Sequence, residues 1–120
     1  MSQTEAVIYH NPRCSKSRKT LSLLQENNIK IHIIEYLNTP LDQKELKSLC
    51  AKLKMQPENL IRKGESIFKE LYRDHNLSDG EWISTMVKHP ILIERPIVVV
   101  GQRAVLGRPP ENVLELINQD

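Results

Sequence analysis

The feature that most constrains the fold is a strand–helix–strand pattern in the first third of the chain. Glu5-Ala6-Val7-Ile8-Tyr9 is a short, mostly apolar run, and Ile31-His32-Ile33-Ile34-Glu35-Tyr36 is a second. Between them, Ser17 to Gln25 places Leu21 and Leu24 on one face at helical spacing. The pattern predicts a strand over 5–9, a helix over about 14–27 and a strand over 31–36. Asn27-Asn28 can end the helix, since asparagine tolerates the left-handed cap. A unit of this length is a βαβ motif, with parallel strands and a right-handed crossover.

The middle of the chain reads as helical. Asp42-Gln43-Lys44-Glu45 has capping-box spacing and opens a helix with Leu46, Leu49, Cys50 and Leu53 on one face. Gln56 to Ile61 suggests a short helical turn, and a further helix covers about 65–73. Ser78-Asp79-Gly80-Glu81 is a second capping box, leading into Trp82, Ile83, Met86 and Val87. The end of the chain changes pattern. Ile97-Val98-Val99-Val100 is a β-branched run, as expected of a buried strand. Gly101-Gln102 turns it back into Arg103 to Leu106 as a hairpin. Glu111 to Asn118 then forms a last helix with Val113, Leu114 and Ile117 inward. The expected order is β-α-β, a helical insertion over about 42–90, then β-β-α, within one α/β domain of 120 residues with a mixed sheet.

Cys14 sits where the first strand hands over to the first helix. A helix N-terminus offers free backbone N–H groups and a partial positive charge, both of which favour a thiolate. Arg13, Lys16, Arg18 and Lys19 add cations, and no acid lies between Val7 and Leu24. Cysteine in such surroundings can titrate at about 3.5–7.5. A buried core cysteine would have apolar neighbours. Cys14 therefore reads as a nucleophile in an anion-attracting loop, and Cys50, on a helix face, as core. Cys14-Ser15-Lys16-Ser17 has no second thiol to resolve a disulfide. Thr20 stands where a phosphatase-type loop would carry arginine. Cations that hold a substrate must then come from elsewhere in the chain.

Arg62, Arg95 and Arg108 each lie at an element boundary, where loops carry sites. A guanidinium fork suits tetrahedral oxyanions. Spacing alone does not select these three over Arg13 or Arg103. Pro96 opens the third strand, and base rates favour a trans bond before it. His10 can support the cysteine loop or merely pack in it. The remaining histidines, His32, His75 and His89, have no second ligand at metal spacing, so no metal site is expected.

The net charge of +2 is too small to point to nucleic acid. No apolar run approaches the ~20 residues of a membrane span. Met1-Ser2-Gln3-Thr4-Glu5 lacks the basic and apolar regions of a signal peptide. The two cysteines read as free thiols in a reducing cytoplasm.

Four segments together resemble the glutaredoxin-coupled arsenate reductase family. They are Tyr9 to Arg18, Tyr36-Leu37-Asn38-Thr39-Pro40, His89 to Val98, and Gly107-Arg108-Pro109-Pro110-Glu111. The resemblance runs nearly end to end and implies a thioredoxin-like fold with a helical insertion. It implies a catalytic Cys14 supported by His10, an oxyanion held by Arg62, Arg95 and Arg108, and a cis bond at Pro96; Ser17, in place of a second thiol, is expected to support the loop. It also implies arsenate or a similar oxyanion as substrate, glutathione as co-substrate with no bound cofactor, and glutaredoxin as partner. The chain ends at Asp120, where the better-known members continue, and so resembles the short branch of the family. Arg13 and Lys16 stand in the cysteine loop where small residues are usual, which suits a bulkier or more anionic substrate.

Two other readings share the fold. One is a regulator that binds RNA polymerase and senses oxidation through Cys-x-x-Cys, against which Ser17 counts. The other is a general glutathione-dependent thiol oxidoreductase with Cys14 forming mixed disulfides.

Overall fold

A computed structural model describes residues 4–117. The strands are β1 (Glu5–Tyr9), β2 (Lys30–Ile34), β3 (Ile97–Val100) and β4 (Arg103–Leu106). The helices are α1 (Ser15–Glu26), α2 (Gln43–Leu53), α3 (Ser66–Leu71), α4 (Asp79–Lys88) and α5 (Asn112–Ile117). Short 3₁₀ turns occupy Pro57–Leu60 and Pro90–Leu92. Asn118, expected at the end of the last helix, lies outside the described residues, as do Met1, Ser2 and Gln3. The chain forms two compact units, Met1–Thr39 with Arg95–Asp120, and Pro40–Glu94.

The first unit holds the sheet, in the order β2-β1-β3-β4. β1 runs parallel to β2, while β1–β3 and β3–β4 are antiparallel. The sheet is therefore mixed, as the βαβ unit and the hairpin together require. Ala6, Ile8 and Val98 are fully buried on one face, with Leu24 of α1 and Val113 and Leu116 of α5. α5 buries Leu116, whereas Leu114 is only partly buried, so the inward set differs from the expected one. The helix is short, and a small rotation exchanges neighbouring positions. Asn28 adopts φ 58°, which ends the α1 segment in the left-handed region as expected of asparagine. β2 stops at Ile34, before the Glu35 and Tyr36 that the apolar pattern included. Glu35 leaves the ladder because its carbonyl accepts from the amides of Asn38 and Thr39, both at 2.9 Å, which curls the chain.

Gly107 fixes how closely α1 approaches the end of β4. A Cβ there would meet Thr20 Oγ1 at 2.5 Å and Pro96 Cγ at 2.7 Å. The Gly107 amide also donates to the Pro96 carbonyl at 2.9 Å. Gly107→Ala is therefore expected to cost about 1–3 kcal/mol through overpacking. Urea denaturation of the variant checks this, and an unchanged midpoint would show that the contact yields freely.

The second unit is built on capped helices. Asp42 accepts from the Glu45 amide at 2.8 Å, and Ser78 and Glu81 form a reciprocal capping box. Leu46, Leu49 and Cys50 of α2, and Trp82, Ile83 and Met86 of α4, are buried. Pro90–Leu92 winds as a 3₁₀ turn that the sequence reading did not separate from the end of α4. Next to it, Ile61 pairs with Ile93, the Arg62 amide donates to the Leu92 carbonyl and the Glu94 amide to that of Leu60.

Candidate active site

The loop between β1 and α1 is a tight turn. The Cys14 amide donates to the Asn11 carbonyl at 3.0 Å, with Pro12 at the second position, where its fixed φ suits a turn. Asn11 Oδ1 accepts from the Arg13 amide at 3.0 Å, which closes the same turn through a side chain. Buried Ser17 ties the loop to the helix. Its Oγ accepts from the Asn11 amide at 3.0 Å and lies 2.7 Å from His10 Nδ1. Burial lowers the His10 pKa, outweighing the neighbouring Glu35 carboxylate, and so favours the neutral ring. With one Oγ lone pair taken by the amide, the Ser17 hydrogen suits Nδ1 and leaves the ring's own N–H on Nε2. The closest partner found for His10 is thus Ser17, and its structural effect is to hold the loop.

Cys14 is the N-cap residue of α1, with extended φ/ψ and a half-buried thiol. Its side chain makes no cap hydrogen bond. Burial alone would push the thiol up. The Ser17 amide, the Arg95 guanidinium and the Lys16 amide outweigh it, and the pKa falls below the ordinary value. This corrects one expectation. The cation that acts on the sulfur is Arg95, brought from the entry to β3. Arg13, Lys16, Arg18 and Lys19 are exposed, and Arg18 instead donates to the Pro12 carbonyl at 3.0 Å. Burial raises the Cys50 thiol, as does the Asp79 carboxylate. Alkylation by iodoacetamide should therefore rise with pH to a plateau reached below the ordinary thiol range at Cys14 and above it at Cys50. Single-cysteine variants, Cys50→Ala and Cys14→Ser, separate the two profiles. Coincident profiles would contradict the assignment.

Arg95 and Arg108 come together in the first unit. Arg108 Nη1 donates to the Arg95 carbonyl at 3.2 Å. Arg95 Nε and Nη1 are buried, with no hydrogen-bond partner among the described residues. Unpaired buried donors are rare and costly, so this pair marks a place where an acceptor belongs. The Arg95–Pro96 bond is cis, against the base-rate expectation of trans and as the family resemblance implied. The Arg108–Pro109 bond is also cis, which nothing in the sequence indicated.

Arg62 lies in the second unit. Its guanidinium faces Glu94 at 3.5 Å and Glu65 at 3.8 Å, and its Nη1 is buried with no hydrogen-bond partner among the described residues. No group of three or more histidine, cysteine, aspartate or glutamate residues suited to a metal ion occurs among the described residues.

These features define a thioredoxin-like α/β protein with a cysteine at the start of its first helix and an arginine that lowers the pKa of its thiol. The chain belongs to the ArsC family, whose model matches residues 9–116. It is 49% identical over 112 residues to YfgD, an uncharacterized protein of Escherichia coli strain K12, covering 92% of this chain and 94% of that one. It is 43% identical over 111 residues to an arsenate reductase of Neisseria meningitidis, covering 91% and 95% of the two chains. The structure of an arsenate reductase from Vibrio cholerae superposes with a TM-score of 0.91 at 46% identity, covering 95% of this chain and 98% of that one.

Proposed function

We propose that the protein reduces arsenate to arsenite with glutathione and glutaredoxin, using Cys14 as the nucleophile. The observation that carries this reading is the pair of buried, unpartnered Arg95 donors in a residue that also acts on the Cys14 sulfur. Arsenate supplies the missing acceptor. Relatives over 40% identical that are named arsenate reductases support the same substrate.

The chemistry then follows from the residues. The Cys14 thiolate attacks arsenic, and one arsenate oxygen leaves as water after taking up protons. Arg95 and Arg108 neutralise the charge that builds on the remaining oxygens. We assign Arg62 the same role on the family resemblance. Glutathione displaces a second hydroxyl as water and becomes bonded to arsenic through sulfur. The glutaredoxin thiolate attacks that glutathionyl sulfur. The arsenic–sulfur bonding pair stays on arsenic, which falls from As(V) to As(III), and glutaredoxin leaves as its mixed disulfide with glutathione. Water then releases arsenite and restores the Cys14 thiol. Ser17 and His10 hold the loop, and Pro96 sets the Arg95 carbonyl. Such chemistry needs a reducing compartment, in keeping with a cytoplasmic setting.

The test is arsenate-dependent oxidation of NADPH, coupled through glutathione reductase. Omitting arsenate, glutathione or glutaredoxin should each stop it. NADPH oxidation that proceeds on a glutathionylated peptide and ignores arsenate would favour a general thiol oxidoreductase instead.

A further inference from the structure

A cleft of about 370 Å³ opens beside the cysteine loop, within the first unit. It is lined by His10, Asn11 and Arg13 on one side and by Glu35, Leu37 and Asn38 on the other. The two segments are the loops that leave the carboxyl ends of β1 and β2. The His10 amide donates to the Ile34 carbonyl at 2.8 Å, so the parallel strands end side by side before their chains part. Crevices outside the carboxyl ends of parallel strands are where α/β proteins place ligands. The cleft also falls in the size range of small-molecule sites, well above what a tetrahedral oxyanion fills.

Its chemistry differs from that of the Arg95–Arg108 pair. Arg13 presents an exposed guanidinium, and Glu35 presents an exposed carboxylate that accepts from Asn38 Nδ2 at 3.3 Å. Leu37, 39% exposed, adds an apolar edge. A plain oxyanion would be repelled by Glu35. A ligand with both charge signs suits the cleft, since a carboxylate can pair with Arg13 and an ammonium with Glu35. The lining residue Arg13 directly precedes Cys14 in the chain. The turn that supplies Asn11 and Arg13 ends on Cys14. One loop thus carries both a wall of the cleft and the nucleophile.

We propose that this cleft between the ends of β1 and β2 is the docking site of a small zwitterionic thiol peptide, the class to which glutathione belongs. Arg13 takes a ligand carboxylate and Glu35 its ammonium group. This assigns a use to the Arg13 side chain, which plays no part in the Cys14–Arg95 contact. The inference rests on the proposed function for its redox purpose, but the binding itself needs no turnover.

S-methylglutathione, whose thiol is blocked, serves as the probe. Titrated into isotope-labelled protein, it should give saturable amide shifts at Asn11, Arg13, Leu37 and Asn38. Arg13→Gln and Glu35→Gln, each checked for an unchanged melting curve, should weaken binding about tenfold, as loss of one charged contact does. In steady state, Arg13→Gln should raise KM for glutathione and leave KM for arsenate unchanged. Shifts confined to residues around Arg95 and Arg108, no saturable binding, or binding indifferent to both substitutions would overturn the proposal. Binding at the cleft by a protein that reduces no arsenate would leave this site standing and remove the proposed reaction. Turnover of arsenate without binding here would do the reverse.

Discussion

A protein with Cys14→Ser is expected to fold normally and to reduce no arsenate. Cys14 occupies the N-cap of α1. Serine is among the preferred residues at that position, so the substitution should keep or slightly raise helix stability. The loop network of Asn11, His10 and Ser17 does not involve the Cys14 side chain. Chemistry is another matter. Against burial, the Ser17 amide, Arg95 and the Lys16 amide lower the thiol pKa below its ordinary value and so favour ionisation. The same groups cannot bring an alkyl hydroxyl, which titrates far higher, anywhere near that value. The variant loses the nucleophile and the arsenic–sulfur bond together. Removing the nucleophile from a covalent enzyme costs on the order of 10⁶ in turnover. Turnover by the coupled assay, with circular dichroism and a melting curve as controls, measures both halves of the expectation. A folded variant that retains even a small fraction of wild-type turnover would mean that the reaction does not pass through Cys14.

Arg95→Lys carries the second largest effect. Lysine keeps a positive charge near the sulfur but has no fork and no Nε–H at the position where Arg95 now buries two unpaired donors. Loss of one such oxyanion contact costs about 10²–10³ in turnover. The substitution also alters the cationic group that helps lower the Cys14 pKa. With less stabilisation of the thiolate, the Cys14 pKa rises. The variant therefore needs a higher pH to reach the same thiolate fraction, and its alkylation profile moves to higher pH. Turnover and alkylation are thus two readouts of one residue. A variant with normal turnover and an unmoved alkylation profile would show that Arg95 neither binds the oxyanion nor supports the thiolate. A moved profile with normal turnover would confine its role to Cys14.

What could be read in the sequence was local. The βαβ unit showed in the spacing of Leu21 and Leu24 between two apolar runs. Asp42 and Ser78 announced their helices because a cap needs only its own next few residues. Cys14 was legible for the same reason, since a helix start and its cysteine are neighbours in the chain. The groups that act on the sulfur were legible in part. The Ser17 and Lys16 amides follow from the helix start, but Arg95 lies far along the chain, and no spacing rule links it to Cys14. The nearby cations drew attention to the loop for a reason that the structure revises, because they face solvent while Arg95 reaches the thiol. Arg62, Arg95 and Arg108 were singled out together by resemblance to a family. Glu35 looked like part of a strand because its apolar neighbours continue the β pattern, and only the hydrogen bonds from Asn38 and Thr39 show that the ladder has ended. The cleft beside Arg13 had no signature for the same reason, since it is made by two loops whose meeting is set by strand pairing.

The central step of the proposed reaction is the bonding of arsenic to Cys14. Intact-protein and peptide mass spectrometry after incubation with arsenate and glutathione, with glutaredoxin left out, addresses this directly. The expected result is an arsenic–glutathione adduct on the Cys14 peptide, absent in Cys14→Ser, which disappears as arsenite is released when glutaredoxin is added. Arsenite formed while Cys14 stays unmodified, or an adduct carried by Cys50 instead, would contradict it.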